Sequence, residues 1–117
     1  MNIIFGDSAK QLSDKFTVLE LDTIRITNSS EKFTTYCVVE SIPLVDFPKV
    51  SAYIKLHHDM LQGYRNQEWS YCQDAIKYLK GKWNGELDSF YEEMSSRIDQ
   101  LKDQLLPDDW DGVLDRN

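Results

Sequence analysis

Hydrophobic and polar positions along the chain change period once, near residue 46. Before that point the spacing is that of strands. Ile3, Ile4 and Phe5 form a short apolar run that stops at Gly6, and Asp7 or Ser8 can cap a brief helix over AKQLSD. Residues 16–26, FTVLELDTIRI, alternate, with Leu19 and Leu21 on one parity and Ile24 and Ile26 on the other. That slip near Asp22 and Thr23 predicts a bulge, because one inserted residue switches which side chains face inward. The polar run TNSSEK has turn composition, and FTTYCVVE, residues 33–40, supplies the returning strand of an antiparallel hairpin.

After SIPLVDFP the spacing becomes helical. Val50, Tyr53, Ile54, His57, Met60, Leu61 and Tyr64 predict a first long helix. Asn66 is positioned to cap a second, with Trp69, Cys72, Ile76 and Leu79 as its stripe and Gly81 as a left-handed stop. Asn84 is positioned to cap a third, whose stripe runs Leu87, Phe90, Tyr91, Met94, Ile98, Leu101 and Leu105 until Pro107 ends it. Short loops make these helices antiparallel neighbours. The expected class is α+β: an antiparallel β-hairpin with a short extra strand, then an antiparallel helical hairpin or three-helix module like one tetratricopeptide unit. The division falls into a β-rich segment, 1–46, and a helical module with a C-terminal capping tail, 47–117, forming one compact domain overall. A lone helical unit buries too little to stand by itself, so the helices are expected to lean on the strands or on another chain.

Composition narrows the partners. The 117 residues are 41% hydrophobic and 28% charged, enough apolar matter for a core. A net charge of −7 speaks against nucleic acid and against anionic membrane surfaces. No apolar run reaches the ~20 residues that span a bilayer, and MNIIFGDSAK lacks a signal peptide's basic and apolar regions. Cys37 and Cys72 form no CxxC pair and read as two buried thiols of a reducing compartment, which points to the cytoplasm.

Candidate chemistry is sparse. His57 and His58 are adjacent, so they point about 100° apart on a helix and cannot share one metal ion as an i, i+4 pair would. His57 lies on the apolar stripe and reads as a core histidine, with His58 exposed. Asp108, Asp109, Asp111 and Asp115 lack the spacing and closing Glu of a calcium loop. No phosphate-binding glycine loop, nucleophile elbow or dinucleotide fingerprint occurs, and Cys72 has no base partner in its pattern. No cofactor and no metal is expected. Most aromatics belong to the core, whereas Tyr71, Tyr78 and Trp83 fall off the main stripes. Exposed Tyr and Trp more often mark an interface.

Taken in order, several short pieces resemble one family. LQGYRNQEWSYCQDAIKYL, then FYEEMSSRI, then LPDDWDGV are similar to the C-terminal tail of bacterial class III adenylate/guanylate cyclases. The matching positions are Tyr64, Arg65, Trp69, Ala75 and Ile76, then Tyr91 and Arg97, then Trp110, Asp111, Gly112 and Val113. Leu21, Asp22, Ile24, Arg25, Ile26 and Tyr36 resemble the last segment of the catalytic domain. The resemblance implies that DWDGV folds back on the helical hairpin and that Trp110 fills its groove. It also implies lost catalysis. The family's two metal-binding Asp residues and its transition-state Asn and Arg precede this segment, and Thr27, Asn28 and Ser29 stand where Lys-Gly-Lys is the pattern. A hydroxyl cannot supply the cation that phosphoryl chemistry requires.

The expectation is therefore not an enzyme but an interaction or regulatory protein derived from a cyclase C-terminus. Its partner would be itself, as a homodimer through the hairpin, or a full-length nucleotide cyclase. The alternative is a small-ligand or peptide binder using a groove between helices and sheet. Structural or interface candidates are Tyr64, Trp69, Tyr71, Tyr78, Trp83, Tyr91, Arg97, Trp110, Asp111 and Gly112.

Overall fold

A computed structural model describes residues 2–12, 16–26, 31–39, 42 and 44–116. The fold is α+β, as the change of period predicts. The chain divides into two compact units, Met1–Glu40 with Asp111–Asn117, and Ser41–Trp110.

The first unit is a sheet. Strand β1 spans Asn2–Phe5, helix α1 Gly6–Leu12, strand β2 Thr17–Ile26 and strand β3 Lys32–Val39. Helix α1 starts at Gly6, ahead of both expected caps, and residues 13 and 14 of AKQLSD lie outside the described residues. β2 and β3 pair antiparallel, with Leu19 opposite Cys37 and Ile24 opposite Phe33. Between Glu20 and Thr23 the register shifts, which is the bulge that the parity slip requires. The Thr35 hydroxyl holds it. Its oxygen accepts the Asp22 N–H at 3.2 Å, and its proton is donated to the Asp22 carbonyl at 3.2 Å. Backbone groups that a bulge removes from the ladder thus find a side-chain partner. Because of the bulge, Leu19, Ile24, Phe33 and Cys37 share one face.

β1 pairs antiparallel with the other edge of β3, Ile3 opposite Cys37 and Phe5 opposite Thr35. A fourth strand, β4 at Leu114–Arg116, lies parallel to β2. The sheet order is β1-β3-β2-β4, so β1 and β4 are its edges. Alternation cannot reveal a three-residue strand, and β4 was not foreseen. Residues 27–30 of the turn lie outside the described residues.

The second unit is helical. After a 3₁₀ turn at Leu44–Lys49 come α2 (Val50–Arg65), α3 (Trp69–Leu79), a 3₁₀ turn at Trp83–Gly85 and α4 (Asp88–Leu101). Ring contacts join Tyr53 to Tyr78 and Tyr64 to Trp69, so the start of α2 meets the end of α3 and they run antiparallel. Gln73 donates to Asp99 at 2.8 Å and Lys80 pairs with Glu92, which sets α3 and α4 antiparallel as well. The core is built largely from the expected stripes, with Ala75 added: Tyr53, His57, Met60, Leu61 and Tyr64, then Cys72, Ala75, Ile76 and Leu79, then Leu87, Phe90, Tyr91, Met94 and Ile98, whereas Ile54 of the first stripe stands exposed. Gly63 permits the close approach of α2 and α3, since a Cβ there would stand 3.1 Å from Cys72 Sγ and from a Tyr71 ring carbon.

Three helix boundaries differ from expectation. Asn66 caps the C-terminus of α2 rather than the N-terminus of α3. Gln67 is left-handed at φ 60°, its N–H donates to the Tyr64 carbonyl, and the Glu68 N–H reaches back to the Gly63 carbonyl. That is a Schellman stop with Gln where Gly is usual. Asn84 does not cap α4 but sits left-handed inside the second 3₁₀ turn, and α4 begins at Asp88. α4 also ends at Leu101, leaving Leu105 wholly exposed outside the core. Gly81, at φ 83°, ends α3 as expected.

Candidate functional site

Trp110 packs on the aromatic corner of the helical unit. Its ring lies 5.4 Å from that of Tyr64 and 5.7 Å from that of Trp69, and those two lie 5.7 Å from each other. Tilted and edge-on rings at this spacing bring the positive edge of one toward the negative face of the next. The Arg97 guanidinium stands 5.9 Å from the centre of Tyr64 and holds Glu93 at 3.1 Å. Trp110 stays half-buried, so the corner is a seam rather than a filled groove.

Deeper in the same unit, polar groups meet in the core. Trp83 Nε1–H donates to the Tyr91 hydroxyl at 3.0 Å, and that hydroxyl stands 2.9 Å from His57 Nδ1. All three residues are buried. His57 is the core histidine that its stripe predicts, and His58 is exposed. Trp83 overturns the expectation of an exposed off-stripe indole, being 1% exposed. Its backbone is left-handed, φ 54°, and so is that of Asn84. This pair of unusual residues turns the indole inward, and stripe spacing cannot describe a residue outside a helix.

Tyr71 and Tyr78 do stand exposed on α3, one on each side of Asp74 in the sequence. Lys82 Nζ lies over the rings of Tyr78 and Tyr53, at 5.2 and 5.7 Å. Cys72 is no nucleophile. Burial, with the Glu68 charge added, pushes its thiol up to about 12, and Sγ donates to the Met60 carbonyl.

In the sheet unit, Asp111 is a local anchor. It accepts the Val113 N–H at 3.0 Å, pairs with Arg25 of β2 at 3.0 Å, and pairs with Lys32 of β3 at 3.2 Å. The Val113 N–H holds its carboxyl below the usual carboxylate range, with Lys32 and Arg25 adding to the effect. Gly112, at φ 77°, makes the turn that lets the chain enter β4 beside Ile24–Ile26. The opposite charges of Arg25 and Asp111 were the one available signal for this contact, and 86 residues of separation concealed it.

Among the described residues no strand pairs with the other edge of the sheet, β1. Ile3 is 53% and Phe5 61% exposed, on the face that also carries Phe33 and Ile24. Past the end of β1 opens an apolar cavity of about 890 Å³, lined by Phe5, Gly6, Ile24, Ile26, Phe33 and Lys32 among others. No family model matches the chain, and neither a curated protein nor a solved structure matches it. Among the described residues, no group of three or more His, Cys, Asp or Glu side chains is placed to hold a metal ion. Among them, too, no helix is long and apolar enough to cross a membrane. Sequence reasoning missed Ile24, Ile26 and Phe33 as a joint surface, because they read as inward strand positions. The signal was three large apolar residues beside one turn.

Proposed function

We propose that this chain is a non-catalytic interaction module that binds another protein along the β1 edge of its sheet. The observation carrying this reading is an edge strand that bears Ile3, Ile4 and Phe5, with two of the three more than half exposed. An edge strand offers unpaired N–H and C=O groups to any extended segment, and soluble proteins blunt such edges with charge, proline or a bulge. β1 has none of these. Apolar surface left in water at a pairing edge gains about 25 cal/mol per Å² when a partner covers it. The aromatic corner of Tyr64, Trp69 and Trp110 has a stabilising role here, and the likeness to cyclase tails supports descent from such a protein. Thr27, Asn28 and Ser29, at the positions of that family's Lys-Gly-Lys pattern, lie outside the described residues. The partner is a second copy or a nucleotide cyclase.

Amide hydrogen exchange across a dilution series tests the edge. Protection of Ile3–Phe5 that rises with concentration, or on adding a partner, supports the reading. Exchange there that stays fast under every condition, while β2 and β3 are protected, removes it.

A second reading, a small-ligand binder, draws on the cavity beside Phe5 and Phe33. Its volume lies in the range usual for small-molecule sites. Saturable quenching or shift by an apolar probe dye, competed by a ligand at one site per chain, distinguishes this from edge pairing.

A further inference from the structure

We infer that the partner at the β1 edge is a second copy of this chain, with the two β1 strands antiparallel about a two-fold axis through Ile4. The inference rests on the edge-binding reading and adds the occupant and the register. Of the sheet's two edges, β4 has three residues, and its sequence includes Asp115 and Arg116. Charge at that edge discourages pairing. β1 carries no charge at all. Two chains of net charge −7 repel each other, so self-association is cheapest where both surfaces are neutral.

Symmetry then restricts the register. Antiparallel strands that continue one sheet are related by an axis perpendicular to it, which keeps each face on its own side. Only residues of like parity can therefore stand opposite one another, because side chains alternate with period two. Ile3 and Phe5 share a face, since they pair with Cys37 and Thr35 of β3. Centring the axis on Ile4 sets Ile3 of each copy against Phe5 of the other. Centring it on Ile3 sets that residue against itself and carries Phe5 past Asn2 of the copy. The first arrangement alone covers both exposed side chains, and it does so twice. Pairing an aromatic with a β-branched residue across strands is also favourable. The joined sheet runs β4-β2-β3-β1-β1-β3-β2-β4. A four-residue strand from each copy makes a small contact, below the ~1,200 Å² of standard interfaces, so the dimer dissociates on dilution.

Charge swapping tests both parts on the full chain. Ile3→Lys and Phe5→Glu are each made at a position more than half exposed, so folding is retained, and far-UV circular dichroism checks it. Sedimentation across a dilution series should show the parent dimerising and each single variant associating about tenfold or more weakly, as two disrupted pairs imply. An equimolar mixture of the two variants should recover association, because the new ammonium then faces the new carboxylate while the native Ile3–Phe5 pair survives on the other side of the axis. If both variants weaken association and the mixture shows no recovery, the register is overturned and edge pairing stands. A parent that is monomeric at all concentrations, or variants that associate like the parent, remove the edge-binding dimer itself. Cross-linking supplies a second measurement, since Cys37 and Cys72 are buried and do not compete. Under oxidation Ile4→Cys should give a disulfide-linked dimer and Ile3→Cys should not, because residue 3 stands one position off the axis, which sets its two copies two positions apart along the strands and too far apart for a disulfide. The opposite pattern overturns the register.

Discussion

Changing Tyr91 to Phe isolates the polar triad of the helical core. The ring is retained, so the packing of a residue with no exposed surface is kept, and only the hydroxyl is lost. That hydroxyl is the acceptor for Trp83 Nε1–H at 3.0 Å and stands 2.9 Å from His57 Nδ1. An indole N–H left buried without its acceptor costs about 1–3 kcal/mol, and the second contact adds roughly 1 kcal/mol. The void left by one oxygen adds only about 0.3 kcal/mol at ~24 cal/mol per Å³. The expected loss is therefore about 2–4 kcal/mol, without a change in the denaturant slope. Urea unfolding followed by far-UV circular dichroism measures it, with Tyr78→Phe as the control. Tyr78 is exposed and should shift stability by less than about 0.5 kcal/mol. If Tyr91→Phe is as mild as the control, the triad is not a satisfied core network and the placement of Trp83 is wrong. A smaller combined loss in Trp83→Phe with Tyr91→Phe than the two single losses added together would show that the pair interacts.

Trp110→Ala should cost about 1.5–3 kcal/mol, less than a fully buried Trp, because the ring is half-buried against Tyr64 and Trp69; urea unfolding measures it, and an unchanged midpoint would leave the corner without an anchor. Gln67→Gly should stabilise the helical unit by about 0.5–1 kcal/mol, since relief of a left-handed non-glycine residue exceeds the added freedom of the unfolded chain; a lower melting temperature would contradict the Schellman stop. Asp111 has a depressed pKa, so its support of the β4 entry is complete above about pH 4 and is lost as pH falls through the lowered value. The protection of β4 amides, measured relative to their intrinsic exchange at each pH, should fall over that acid range, and Asp111→Asn should lose this pH dependence and be less protected already at neutral pH.

Much of the architecture was legible in the pattern of residues. The switch of period separates strands from helices. The broken parity of Leu19, Leu21, Ile24 and Ile26 marks the bulge, since a strand has no other way to keep all four on one face. The stripes from Tyr53 to Ile98 name nearly the whole helical core, because 3.6-residue periodicity is a local property of the chain. Helix ends were less legible. Asn66 and Asn84 are good caps in isolation, but left-handed turns at Gln67 and at Trp83–Asn84 put them to other uses.

What the sequence by itself determined is the set of faces: which residues of each strand and helix must be inside. Which of those faces find a cover was decided only by the tertiary structure. Ile3, Phe5 and Phe33 are as apolar as any core residue, yet they stand exposed: among the described residues no strand lies beyond β1, and Phe33 lies past the end of the β1 pairing. Trp83 looked like a surface residue and is buried, because two left-handed residues redirect it toward Tyr91. Arg25 and Asp111 meet across nearly the whole chain, a pairing that no local pattern records. Periodicity reports the conformational preference of a segment, whereas burial and pairing depend on where distant segments end, and that distance is closed only by folding.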